Sequence, residues 1–245
     1  MNERDGSQRQ AVIFDMDGVL VDSEPRHEWA FLEVVRSLGF RDRLRLRFAD
    51  YIGRSDQDLW RDFVALHAPS VALPELLAMK RQKTVEILLR EEPLFPGVPQ
   101  LVKKLASSYR LAVASGSELP VIDAVLGIPC LAEAEANSST PPKSIASSPN
   151  GTRGLRCFFD AVVTSGDVPR GKPAPDIFLR AAELLGVQPT QCWVIEDSKP
   201  GVAAGLAAGM RVIAITNTHT ASELAPATHV VSSYAEIEQL LLQSR

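Results

Sequence analysis

Two aspartates, Asp15 and Asp17, stand two residues apart directly after the apolar run Ala11-Val12-Ile13-Phe14. The run is β-branched and aromatic, and it reads as a short buried strand. In an extended segment, side chains at i and i+2 point to the same face. The spacing therefore crowds two carboxylates at the carboxyl end of a strand inside a sheet. Such crowding is costly unless a cation or a reacting group sits between them.

The elements that must hold these carboxylates repeat one pattern. Arg110–Ala114 runs into Ser115-Gly116-Ser117, and residues 159–163 run into Thr164-Ser165-Gly166-Asp167. Residues 192–195 end in Glu196-Asp197-Ser198, and Arg211–Ile215 ends in Thr216-Asn217-Thr218. Helical periodicity fills the intervals, as over 175–185 and 201–208. Strands alternating with helices at this spacing predict an α/β fold, a Rossmann-like doubly wound parallel sheet covered on both faces. Ligands of such sheets bind at the carboxyl edge of the strands, near a topological switch point. Each polar cluster falls on that edge.

Residues 23–93 break the rhythm. Segments 25–38, 57–67 and 73–89 read as amphipathic helices with no strand between them, and Leu94-Phe95-Pro96-Gly97 punctuates the return to strand and helix. The expectation is an inserted helical cap at 23–93 on a catalytic core of 1–22 and 94–245. Inserted lids of this kind sequester a reaction from water. Within the core, residues 137–154 (NSSTPPKSIASSPNGTRG) differ from everything around them. Fourteen of the eighteen are Ser, Thr, Pro, Asn or Gly, which predicts a disordered surface insertion.

Composition bounds the partners. With 245 residues, 23% charged and 45% apolar, the chain matches an ordinary globular protein with ample core. A net charge of -4 and a pI near 5.6, without a dominant Lys/Arg cluster, argue against a general nucleic-acid binder. No apolar run approaches the roughly 18 residues of a membrane span. The polar start MNERDGSQRQ leads straight into the first strand and reads as carrying no secretory signal. The glycosylation patterns at Asn137 and Asn150 are therefore discounted. Cys130, Cys157 and Cys192 are scattered without metal spacing, which suits a reducing cytoplasm. Oligomeric state is not legible.

Taken together, FDMDGVLVDSE (14–24), ASGS (114–117), GKPAPDIF (171–178) and VIEDS (194–198) resemble the four motifs of the haloacid dehalogenase superfamily. The resemblance covers about residues 11–232 and is closest to the branch of beta-phosphoglucomutases and small sugar-phosphate phosphatases. It implies that Asp15 is the nucleophile, forming an aspartyl-phosphate. Asp17 is then the general acid and base for the leaving oxygen and the water. Mg2+ would be held by Asp15, Glu196, Asp197 and the backbone carbonyl of Asp17. Ser115, Gly116 and Ser117 would cradle the phosphate, and Lys172 would offset its charge. His27 matches a His near the leaving group. Arg54 and Lys83 are candidates to read the substrate's polar edge. Asp56 departs from the mutase pattern, which has an Arg there.

The implied activity is Mg2+-dependent hydrolysis of a small phosphorylated metabolite, a sugar or polyol phosphate. The alternatives are a beta-phosphoglucomutase-like phosphomutase and a non-catalytic phosphate-sensing scaffold. A C–halogen hydrolase is disfavoured, because it needs no leaving-group acid at Asp17.

Overall fold

The computed structural model describes residues 10–51, 56–132 and 152–243. Its strands are β1 (Ala11–Phe14), β2 (Arg110–Ala114), β3 (Leu131–Ala132), β4 (Thr152–Arg153), β5 (Ala161–Val163), β6 (Cys192–Glu196), β7 (Arg211–Ile215) and β8 (His229–Val231). The helices are α1 (Glu24–Ser37), α2 (Asp56–His67), α3 (Leu73–Glu91), α4 (Val98–Ala106), α5 (Leu119–Gly127), α6 (Asp176–Leu185), α7 (Lys199–Ala207) and α8 (Tyr234–Leu242).

Six strands form one parallel sheet in the order β5-β2-β1-β6-β7-β8. After β1 the chain builds outward through β2 and β5, then crosses back to add β6, β7 and β8 on the other side. The reversal makes the β1–β6 junction the topological switch point, where α/β sheets bind ligands. Phe14 is in register with both Val113 and Ile195, so Asp15 emerges level with Glu196. The Asp15 N–H donates to the Ile195 carbonyl at 2.9 Å.

The period of two assigns each strand residue to one of two cores. Val12, Phe14, Val113 and Ile195 pack with the apolar stripes of α4, α5 and α8. Ile13, Ala112, Ala114 and Val194 pack with α6 and α7 on the opposite face. Burial on both faces is why these strands read as continuous apolar runs.

Between β1 and β2, helices α1, α2 and α3 enclose a third core around Phe31, Trp60, Phe63 and Leu76. The Phe31 and Phe63 rings meet Trp60 edge-on, with centroids 5.1 and 5.2 Å away. Two chain segments join this bundle to the sheet, and they run side by side. Asp22 N–H donates to Pro93 O at 3.0 Å and Phe95 N–H to Leu20 O at 3.1 Å. Arg26 clamps the same neck, reaching Asp22 at 2.8 Å and Glu91 at 3.0 Å.

Two sequence expectations shift. Residues 155–158 coil into a 3-10 turn, so the strand expected from 159 begins at Ala161. Thr152 and Arg153, assigned above to the disordered insertion, pair antiparallel with Ala132 and Leu131 as the β3–β4 ribbon. Residues 137–151 lie outside the described residues. No helix among the described residues is long and apolar enough to cross a membrane.

Candidate active site

At the switch point, three carboxylates converge. Asp15, Glu196 and Asp197 are buried and bring ligand oxygens within 4.8 Å of one another. The turn before α6 delivers Lys172, whose Nζ donates to Asp15 Oδ1 and to Glu196 Oε1, each at 2.6 Å. Glu196 Oε2 accepts from the Asp197 and Ser198 N–H groups and from the Ser198 hydroxyl, each at 2.9 Å. Ser198 also caps α7, accepting from the Gly201 N–H at 3.2 Å. Glu196 is thus locked against a helix N-terminus, where negative charge is favoured.

The loops around Asp197 are built to equally close tolerance. Gly18 has φ +76°, and a Cβ there would lie 1.9 Å from Asp197 Oδ2. The Thr218 hydroxyl donates to the same carboxylate and, at 3.1 Å, to the Asp197 carbonyl.

Electrostatics follow from this crowding. Burial, with the charges of Glu196 and Asp17, pushes Asp15 up to about 7 against the pull of Lys172. Burial, with Glu196 and Asp15, pushes Asp197 up to about 8. Lys172 is partly buried, yet Asp15 and Glu196 hold it protonated and raise it. The protein's own groups leave Asp15 and Asp197 short of positive charge at neutral pH. Oxygen-only donors in that condition fit a hard divalent cation, and the acidic trio is the group that could hold it.

Asp17 meets a different environment. Its Oδ2 accepts from the Ser117 hydroxyl at 2.8 Å and the Ser115 hydroxyl at 3.3 Å. His27 Nε2 lies 3.4 Å from its Oδ1. Burial opposes its charge, but the His27 and Ser117 contacts hold Asp17 well below the usual carboxylate range.

His27 is itself held from α3. Lys80 Nζ sits 3.1 Å from His27 Nδ1 and binds both oxygens of Asp56, at 2.6 and 2.8 Å. An ammonium only donates, so Nδ1 accepts, and the ring's proton lies on Nε2, facing Asp17. A cleft of about 550 Å³ runs between the α1–α3 bundle and the sheet edge, lined by Asp17, His27, Asp56, Lys80, Ser117 and Lys172 among others. Asp15, Glu196 and Asp197 are not part of its lining; Lys172, which is, bonds the first two.

The structure thus gathers Asp15, Asp17, His27, Ser115, Gly116, Lys172, Glu196 and Asp197 at one edge of the sheet. Arg54 lies outside the described residues. Lys83 does not face the cleft: it pairs with Glu86 at 2.6 Å on an exposed flank of α3. The α3 lysine in the cleft is Lys80, which sequence reasoning missed. Its signal was present, because Leu76, Lys80 and Thr84 share one buried stripe of α3 at i, i+4 spacing. The Ser117 and Thr218 hydroxyls were also missed as carboxylate partners.

Fold and site together define a haloacid dehalogenase-like hydrolase. The model of that family matches residues 10–209, and the chain belongs to it. It is similar to the fructose-1-phosphate phosphatase YqaB of Escherichia coli K12, 34% identical over 206 residues that cover 82% of this chain and 94% of that protein. Hexitol phosphatase B of the same organism is 32% identical over 209 residues, covering 84% and 82%. Among solved structures, a point mutant of CbbY from Rhodobacter sphaeroides, in complex with xylulose-(1,5)bisphosphate, superposes with a TM-score of 0.73. It is 24% identical, covers 94% of this chain and 96% of its own, and shows the shared fold. Within its family the chain is a phosphoric monoester hydrolase.

Proposed function

We propose that the chain hydrolyses the monophosphate of a small sugar or polyol through an aspartyl-phosphate on Asp15, with Mg2+ as cofactor. The observation that carries this reading is the switch-point arrangement itself. Asp15 is gripped by Lys172 beside Asp197 and Glu196, and Asp17 opens from the same strand end into the cleft. The fructose-1-phosphate and hexitol phosphatase relatives support the substrate class. In this reading, residues 23–93 form the cap, and 1–22 with 94–245 form the catalytic core. Three free cysteines, Cys130, Cys157 and Cys192, support a reducing, cytoplasmic setting.

The chemistry needs two steps. An Asp15 oxygen bonds to phosphorus as the ester P–O bond breaks, and Asp17 gives its proton to the departing sugar oxygen. Water then attacks the phosphorus, Asp17 takes its proton, and the acyl-phosphate P–O bond breaks to release phosphate and Asp15. His27 Nε2–H and the Ser117 hydroxyl hold the ionised Asp17 that the second step uses. A phosphate dianion beside Asp17 favours the protonated form that the first step uses. Lys172 and the Ser115–Ser117 turn steady the phosphoryl oxygens. Mg2+, held by Asp15, Asp197, the Asp17 carbonyl and Glu196 directly or through water, would neutralise the repulsion between nucleophile and phosphate.

The test is phosphate release from fructose 1-phosphate and glucitol 6-phosphate with Mg2+. Asp15→Asn should reduce it below a few per cent of wild type while the thermal transition holds. The amide keeps the shape but is a poor nucleophile. Chelation should abolish wild-type release and added Mg2+ restore it. Release by the variant above a few per cent removes Asp15 as nucleophile.

A further inference from the structure

We propose that Asp56 is a specificity-determining residue: it fixes the substrate's far end as neutral and hydroxylated, and it turns away a second anionic group there. The inference rests on the phosphatase reading above and concerns what the cap recognises. Asp56 opens α2 on the cap wall of the cleft. Its side chain is 48% exposed, whereas Lys80 beneath it is 2% exposed. Each carboxylate oxygen takes one bond from the ammonium, at 2.6 and 2.8 Å. Every oxygen of a carboxylate has two acceptor sites, so one on each remains for the cleft. Those sites accept hydrogen bonds and donate none. A sugar hydroxyl satisfies them, while a phosphate or carboxylate brings no hydrogen and the same charge.

The remaining cleft cations do not reverse this. Arg81 pairs with Glu118 in the cleft lining, and Lys172 pairs with Asp15 and Glu196 at the reacting end. Among the described residues, every Lys or Arg lining the cleft already faces a carboxylate. Lys80 is further occupied by the His27 ring at 3.1 Å. Among the described residues, positive charge is therefore available to one phosphate, next to Asp15, and not to a second group beside Asp56.

Two compounds isolate the effect. Glucitol 6-phosphate and 6-phosphogluconate share their carbon chain and phosphate, and differ in a terminal CH2OH against a carboxylate. Wild type with Mg2+ should show kcat/KM at least tenfold higher for the hexitol phosphate. Asp56→Asn removes the charge and leaves Lys80 without its carboxylate, so the ratio should fall at least tenfold. A purely structural role would lower both substrates together and leave the ratio in place. Equal wild-type values overturn the proposal while the phosphatase reading stands, and so does an unchanged ratio in a folded Asp56→Asn. If that variant does not fold, the wild-type ratio decides alone. No phosphate from either compound, nor from fructose 1-phosphate, overturns the phosphatase reading and this proposal with it.

Discussion

Gly18 shows how narrow the tolerances are around the carboxylates. Its φ of +76° is one that side chains rarely adopt, and a Cβ would fall 1.9 Å from Asp197 Oδ2. The backbone strain of Gly18→Ala costs about 1–2 kcal/mol. The collision adds a functional loss, since Asp197 must shift, and a misplacement near 1 Å can cost about a hundredfold in rate. We expect a stability loss of that size by chemical denaturation and a fall in kcat/KM of about a hundredfold or more. Near-normal turnover would mean that Asp197 has room the structure does not show. At this scale the sequence spoke clearly where function is written in covalent neighbours. Asp15 and Asp17, or Glu196 and Asp197, keep their relation however the chain folds around them. Lys80 was obscure because its meaning depends on helix phase. Three residues on, Lys83 carries the same charge but points to solvent and Glu86.

Secondary structure was legible for the same reason of locality. Strands at 110–114 and 211–215 have the expected bounds, because residues buried on both faces leave an unbroken apolar signature. The three-residue edge strand β8 leaves no such run. The expected strand start at 159 failed for a reason distant in sequence. The Asp160 side chain accepts from Leu111 N–H at 3.1 Å and so anchors the turn before β5. The Ser- and Pro-rich segment supports a prediction of its own. Its final residues belong to the β3–β4 ribbon, where Cys130 N–H donates to Arg153 O at 3.2 Å. Removing residues 138–150 leaves that pairing and every proposed site residue in place. Loop closure entropy changes by only about 0.6 kcal/mol per doubling of length. The deletion should keep kcat/KM within about twofold and stability within about 1 kcal/mol, given that slow dependence on length. A large loss of turnover with an unchanged melting transition would place the segment in catalysis.

On the scale of the whole molecule, the question is what the α1–α3 bundle does, in the proposed reaction, with an aspartyl-phosphate on Asp15. A phosphomutase must hold a sugar carrying phosphate at both ends, turn it round and keep water out meanwhile. Binding in either orientation needs free positive charge at the cap end as well as beside Asp15. Here the two described cations of the α1–α3 bundle that line the cleft are already matched, Lys80 by Asp56 and Arg81 by Glu118. Both partners of the Arg81–Glu118 pair are partly solvent-exposed, and such pairs contribute about 0–1 kcal/mol. In the proposed mechanism Asp17, held by His27 and Ser117, activates the water that enters. With Mg2+ and beta-glucose 1-phosphate, the chain should therefore release inorganic phosphate with no need for glucose 1,6-bisphosphate. The measurement is parallel detection of phosphate and glucose 6-phosphate, with and without the bisphosphate. Glucose 6-phosphate forming faster than phosphate, and only when the bisphosphate is present, would show a cap that excludes water and a mutase in place of a phosphatase.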